Sequence, residues 1–215
     1  MELGRELYDN LTRYVRFQMG CLFGFIISFL GAAIFNVAGG VPFLPLQTLW
    51  INFTTDVSQA IGLGYGQPAE GLMARRPRPP DEPILPRGLM TWLVTVGLIM
   101  GVGTLGVISW AEQARTTTVA HTMGLVTFSL FNLFFSIAVR DEQRTILSLD
   151  IFADKVFLRA SGVSILTIIL ATVFGPLQRF LETTSIDVQQ WIICILVALS
   201  IIVASEVRKI ILRRR

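Results

Sequence analysis

Six apolar runs follow one another along the chain, and nearly all 215 residues belong to them or to the short links between them. They lie at about Phe17–Val37, Phe43–Leu63, Leu89–Trp110, Ala120–Val139, Leu158–Leu177 and Trp191–Ile211. A helix of about 20 apolar residues crosses the hydrocarbon layer of a bilayer. Six such helices leave little chain for a water-soluble domain. Only 15% of the residues are charged, against about 25% in an average soluble domain. A soluble fold of this size could not cover its surface with so few charges. The expected fold is therefore all-α: a polytopic membrane protein, a bundle of six transmembrane helices whose surroundings are the lipid bilayer.

The basic residues set the expected orientation. All but Arg115 and Arg179 of the 18 Lys and Arg residues fall before the first run, after the second, after the fourth or after the sixth. Cytoplasmic loops carry the excess of positive charge. The expected location is the cell membrane, multi-pass, with both termini cytoplasmic. Topology accounts for the net charge of +3, which leaves no support for nucleic-acid binding. Residues 1–16 carry Leu3, Leu7, Leu11 and Val15 at helical spacing. They read as an amphipathic cytoplasmic lead-in helix, with the first run acting as an uncleaved insertion signal. Residues 17–215 read as the six-helix domain. The longest internal link, residues 65–88, holds six prolines, which exclude a regular helix and stiffen the loop for docking. Cys21 and Cys194 sit in apolar runs with no partner spacing for a metal or a disulfide framework.

Small residues mark helix contacts. Gly20, Gly24, Ser28 and Ala32 recur every four residues in the first run, and Gly97 and Gly101 do so in the third. Such faces let membrane helices approach closely, so the first and third runs are expected to touch along them. Gly101, Gly103 and Gly106 also match a nucleotide-binding spacing. They lie mid-run with no preceding strand, so that reading fails its structural context.

Chemistry is concentrated in the second run, LPLQTLWINFTTDVSQAIGLG. An Asp near the centre of a membrane helix costs roughly 2.5–3.5 kcal/mol on insertion scales, so such residues face a protein interior or water. On a regular helix Asn52, Thr55, Asp56 and Gln59 share one face. Their oxygens suit a hard cation. A hydrogen-bonded polar seam between helices explains the same residues equally well. Thr127, Ser129 and Asn132 of the fourth run are placed to face the same interior. His121, at the outer mouth of that run, reads as an exposed or interfacial side chain.

The stretch PLQTLWINFTTDVSQAIGLGYGQPAEGLMARRPRPPDEPIL resembles the sixth membrane helix and following loop of P-type cation-transporting ATPases, in the calcium-pump-like branch. GRELYDNLTRYVRFQ resembles the stalk into that family's fifth helix, and VGLIMGVGTLGVISW its seventh. The resemblance covers essentially the whole chain and corresponds to the fifth to tenth helices, the carboxy-terminal half of the membrane domain. The family's DKTG phosphorylation motif, its nucleotide-binding domain and its actuator domain match nothing in these residues. The resemblance thus implies a chain that is not an ATPase on its own.

Residue by residue, the family's sixth-helix cation ligands fall on Asn52, Thr55 and Asp56. Its fifth-helix Asn and Glu fall on Leu22 and Phe25, and its eighth-helix Glu on Asn132. The family's helix-breaking Gly-Leu-Pro is Val57, Ser58 and Gln59 here, which implies a continuous helix. Asn52, Thr55, Asp56 and Asn132 therefore stand as a remnant cation site of weak affinity, with no certain cofactor. The implied function is that of a non-catalytic membrane protein associating with a P-type ATPase or another membrane protein. The alternative is a partner-dependent subunit of a split cation-transporting ATPase.

Overall fold

The computed structural model describes residues 2–65, 86–140 and 154–213. Most of the proline-rich link 65–88 lies outside these residues. Helix α1 runs without interruption from Glu2 to Phe35, so the lead-in segment and the first apolar run are one rod. It ends at Asn36, whose left-handed backbone (φ 52°) stops the helix. A short turn, Val37–Gly40, follows. The second run is helical from Pro45 to Gly64 in three consecutive pieces: α2 (Pro45–Trp50), a π-helical turn (Ile51–Asp56) and α3 (Val57–Gly64). Pro45 opens α2 where its missing N–H costs nothing.

Helices α4 (Arg87–Ala114) and α5 (Thr117–Val139) pack as an antiparallel pair. After a further link come α6 (Lys155–Val173), α7 (Gly175–Leu181) and α8 (Val188–Arg213). The fifth run therefore ends earlier than its apolar composition suggests. Phe174 is extended, and Gly175 and Pro176 begin the separate helix α7. A proline cannot bond back to the preceding turn, so continuous hydropathy hides the break.

The described residues form an all-α bundle with five helices long and apolar enough to cross a membrane: α1, α4, α5, α6 and α8. The segment Pro45–Gly64 is helical as well, but its wide central turn divides it. Large apolar side chains face outward on the long helices, including Phe35, Leu196 and Val203. Exposure of this extent suits lipid and would be a liability in water. The chain is thus a multi-pass membrane protein.

Helix α5 is the centre of the bundle. In its most apolar stretch 89% of residues are buried, against 28–44% in the other four long helices. Helices α1, α4, α6 and α8 all pack against it. Phe25, Phe43 and Phe128 form one aromatic knot, with ring centroids 4.3–5.9 Å apart.

Glycines set the α1–α4 approach. A Cβ on Gly97 would lie 2.8 Å from the Phe23 carbonyl carbon and 3.0 Å from the Gly24 nitrogen. One on Gly101 would lie 2.5 Å from Ile27 Cγ2 and 3.2 Å from the Ser28 nitrogen. Gly24 faces Met100 of α4 and Phe128 of α5. Gly20 instead lies under the Phe135 ring of α5.

In the turn after α1, Ala38 sits at φ 51°, and its N–H donates to Glu112 Oε2 of α4 at 3.0 Å. His121 is 9% exposed, with Nε2 3.1 Å from the Val41 carbonyl oxygen. It is therefore a buried tie between α5 and the chain after α1, where an exposed or interfacial side chain was expected.

Candidate functional site

The π-helical turn decides which polar side chains meet. Val57 N–H bonds to the carbonyl of Asn52, five residues back. A π turn spends one more residue per hydrogen bond than an α turn. Spacings of four and five, not three and four, then come back to one face. Asn52 is exposed, and its side-chain amide donates to the Thr48 carbonyl at 3.0 Å on its own helix. Thr55 and Asp56 are 1% and 5% exposed, and Gln59 is fully buried. The expected single face of Asn52, Thr55, Asp56 and Gln59 is thus corrected: Thr55, Asp56 and Gln59 are buried, and Asn52 is exposed in the groove that Asp56 also borders. The helix does continue past Asp56 without a break.

Asp56 and Asn132 meet in the interior. The Asn132 amide of α5 donates to Asp56 Oδ1. Asn132 Oδ1 in turn accepts from the Cys21 thiol of α1 at 3.2 Å. Three helical segments are joined through one asparagine. Thr55 Oγ1, next to Asp56 in the chain, is buried without a hydrogen-bond partner, as is Ser129 Oγ of α5. Among the described residues no three of His, Cys, Asp and Glu come together. Asp56 is therefore a single carboxylate among neutral groups. Leu22 and Phe25 offer no ligand nearby: Leu22 is exposed, and Phe25 belongs to the aromatic knot.

Below this group Gln59 makes a second polar junction. Its amide donates to Ser164 Oγ of α6 at 2.9 Å, and its Oε1 accepts from Ser136 Oγ of α5 at 2.7 Å. Hydrogen bonds between membrane helices contribute about 0.6 kcal/mol each, with a maximum near 1.7. Gln59→Leu is expected to destabilise the bundle by about 1–2 kcal/mol, read as a lower midpoint in detergent-titrated unfolding. An unchanged midpoint would remove this junction from the account.

Asp56 also borders the outside. A groove of about 580 Å³ runs between the first half of α1 and α3. Its walls include Leu11, Gln18, Asn52, Asp56, Ile61 and Tyr65. Leu11, Ile61 and Tyr65 are exposed there. One side of the carboxylate is thus held by Asn132 while the group still contributes to the groove wall.

The described residues thus form a helical membrane bundle that holds Asp56 in its interior and packs α1 against α4 through glycines. Residues 40–211 match the family described as "Cation transporting ATPase, C-terminus", and the chain belongs to that family. It is 29% identical over 194 residues to a calcium-transporting ATPase of Bacillus subtilis, covering 89% of this chain and 22% of that protein. It is 26% identical to calcium-transporting ATPase 1 of Schizosaccharomyces pombe, covering 100% of this chain and 24% of that protein. A probable cation-transporting ATPase F of Mycobacterium tuberculosis is 26% identical over 209 residues, covering 96% of this chain and 23% of that protein. The chain spans about a quarter of the length of the curated relatives it matches.

Cys21 and Glu112 are the contributors that the residue pattern did not reveal. A lone cysteine in an apolar run carries no signal for a partner 111 positions away. Glu112 satisfies the backbone of a strained alanine that composition does not distinguish.

Proposed function

We propose that this chain serves as a non-catalytic helical component of a cation-transport assembly in the cell membrane. It works by associating with a P-type ATPase or another membrane protein across the α1–α3 groove. The observation that carries this reading is Asp56 at the wall of that groove. Lipid tails cannot satisfy a carboxylate, and an acidic side chain in a membrane span faces protein or water. A helix seated in the groove would cover the exposed Leu11, Ile61 and Tyr65 and close the site over Asp56. The distribution of basic residues supports cytoplasmic ends for α1 and α8.

A second reading makes the chain a subunit of a split pump, with a cation held jointly by Asp56 and the partner. Its support is that Asp56 and Asn52, on successive turns, both line the same groove. Two measurements separate the readings. Purification in mild detergent is expected to bring down a membrane partner, and Leu11→Trp together with Ile61→Trp is expected to release it. A chain that stays free of partners in native membranes overturns both readings. Asp56→Asn at equal expression is expected to leave the partner bound. Changed cation-dependent uptake in that variant selects the split pump, and unchanged uptake selects the non-catalytic component.

A further inference from the structure

The groove between α1 and α3 has unlike ends. Its two walls run antiparallel, because a short link joins α1 to the second run. Gln18 therefore lies toward the Asn52 and Asp56 end, and Leu7 toward the Gly64 and Tyr65 end. The first end is polar and the second apolar. At about 580 Å³ the groove has the size of a small-molecule site.

The polar end presents acceptors. Asp56 Oδ1 takes the Asn132 amide, and its Oδ2 makes no hydrogen bond among the described residues. The Asn52 side-chain nitrogen is engaged with the Thr48 carbonyl, which leaves Oδ1 to accept. Gln18 Oε1 is buried and has no hydrogen-bond partner. A buried acceptor without a donor is costly, so this end calls for a group that donates. No Lys, Arg or His lines the groove, so the walls offer the carboxylate no cation of their own.

Three oxygens fall short of the six to eight that a calcium ion takes. A primary ammonium carries three N–H donors and no acceptor, which matches them. The remaining wall sets the rest of the ligand. Leu7, Leu11, Val57 and Ile61 are apolar, and Tyr14 and Tyr65 add aromatic rings. Aromatic rings attract both apolar groups and cations.

We propose that the groove is a binding site for a small aryl-alkyl primary amine. The ammonium donates to Asp56 Oδ2, Asn52 Oδ1 and Gln18 Oε1. The aryl group lies on the apolar walls beside Leu11, Ile61 and Tyr65. This is the groove assigned above to a membrane partner. The amine site rests on the lining alone, and a seated partner helix excludes the ligand.

The test uses the full chain synthesised cell-free into phosphatidylcholine nanodiscs, where no partner is present. Equilibrium dialysis measures bound phenylbutylamine, with empty nanodiscs subtracting partition into lipid. A hydrogen bond to a charged group changes affinity by about tenfold or more. Phenylbutanol, the neutral counterpart, is therefore expected to bind at least about tenfold more weakly than the amine. Asp56→Asn is expected to weaken the amine by about tenfold or more, and Gln18→Leu by roughly fivefold. Asp56→Glu keeps the charge and is expected to retain most of the binding, which guards against loss through misfolding. Equal binding of amine and alcohol overturns the proposal, and so does unchanged amine binding in Asp56→Asn. Partner capture from native membranes is a separate readout. A chain that captures a partner but binds no amine overturns this proposal alone, and a chain that binds the amine but captures no partner overturns the partner reading alone.

Discussion

Gly97→Ala is expected to destabilise the bundle by about 2–3 kcal/mol, although alanine is the better helix former by about 1 kcal/mol. The added methyl meets the backbone of α1 at Phe23 and Gly24, not the movable end of a side chain. Relief requires α1 and α4 to separate, and that opens the contacts of Gly101 with Ile27 and Ser28 as well. Gly106, on the same helix, supplies the control. A Cβ there meets nothing within 4 Å, so Gly106→Ala is expected to be neutral or slightly stabilising. Reversible unfolding in mixed micelles measures both. Equal midpoints for the two variants would mean that the close approach of α1 and α4 contributes little.

Asp154→Ala is the second large change, expected to cost about 4 kcal/mol or more. Asp154 is 1% exposed and does two things at once. Its Oδ1 accepts from the Val156 and Phe157 amides at 3.1 and 3.0 Å, capping α6. Its Oδ2 meets Arg140 at the end of α5 at 3.0 Å. Arg140 also lies 4.6 Å over the Phe157 ring, so the pair clasps α5 to α6. A lost N-cap costs about 1 kcal/mol, and removal of one partner of a buried ion pair costs about 3–5 kcal/mol. Asp154→Asn retains a capping oxygen and loses the charge, so its loss is expected to be intermediate. The order wild type, Asn, Ala in unfolding midpoint is the result that supports the clasp. An Asn variant as weak as the Ala variant would place the whole effect on the charge pair.

The apolar runs were legible because membrane helices need long stretches without charge, and nothing local competes with that signal. The helix contacts of Gly97 and Gly101 were legible for a similar reason: only small residues allow two backbones so near. The pairing of Asp56 with Asn132 followed from their polarity, since each needs a partner in an apolar interior. The exposure of Asn52 did not follow. A π-helical turn has no residue signature of its own, and its register comes from contacts made elsewhere, such as Gln59 with Ser136 and Ser164. The break at Phe174 was written in Gly175 and Pro176 but hidden by the apolar residues on both sides. Ala38 at positive φ was not legible at all, because alanine gives no hint of that conformation.

The enclosure of α5 has a consequence for biogenesis. Its neighbours come from both sides of it in the chain: α1 and α4 are made before it, α6 and α8 after it. When α5 leaves the translocon, the surface that will cover Met123 is still missing, because Cys194, whose thiol donates to the Met123 carbonyl, lies on the unsynthesised α8. Until then the side of α5 that faces α8 lies against lipid. The bundle therefore closes only once α8 has been inserted, and that helix seals the core.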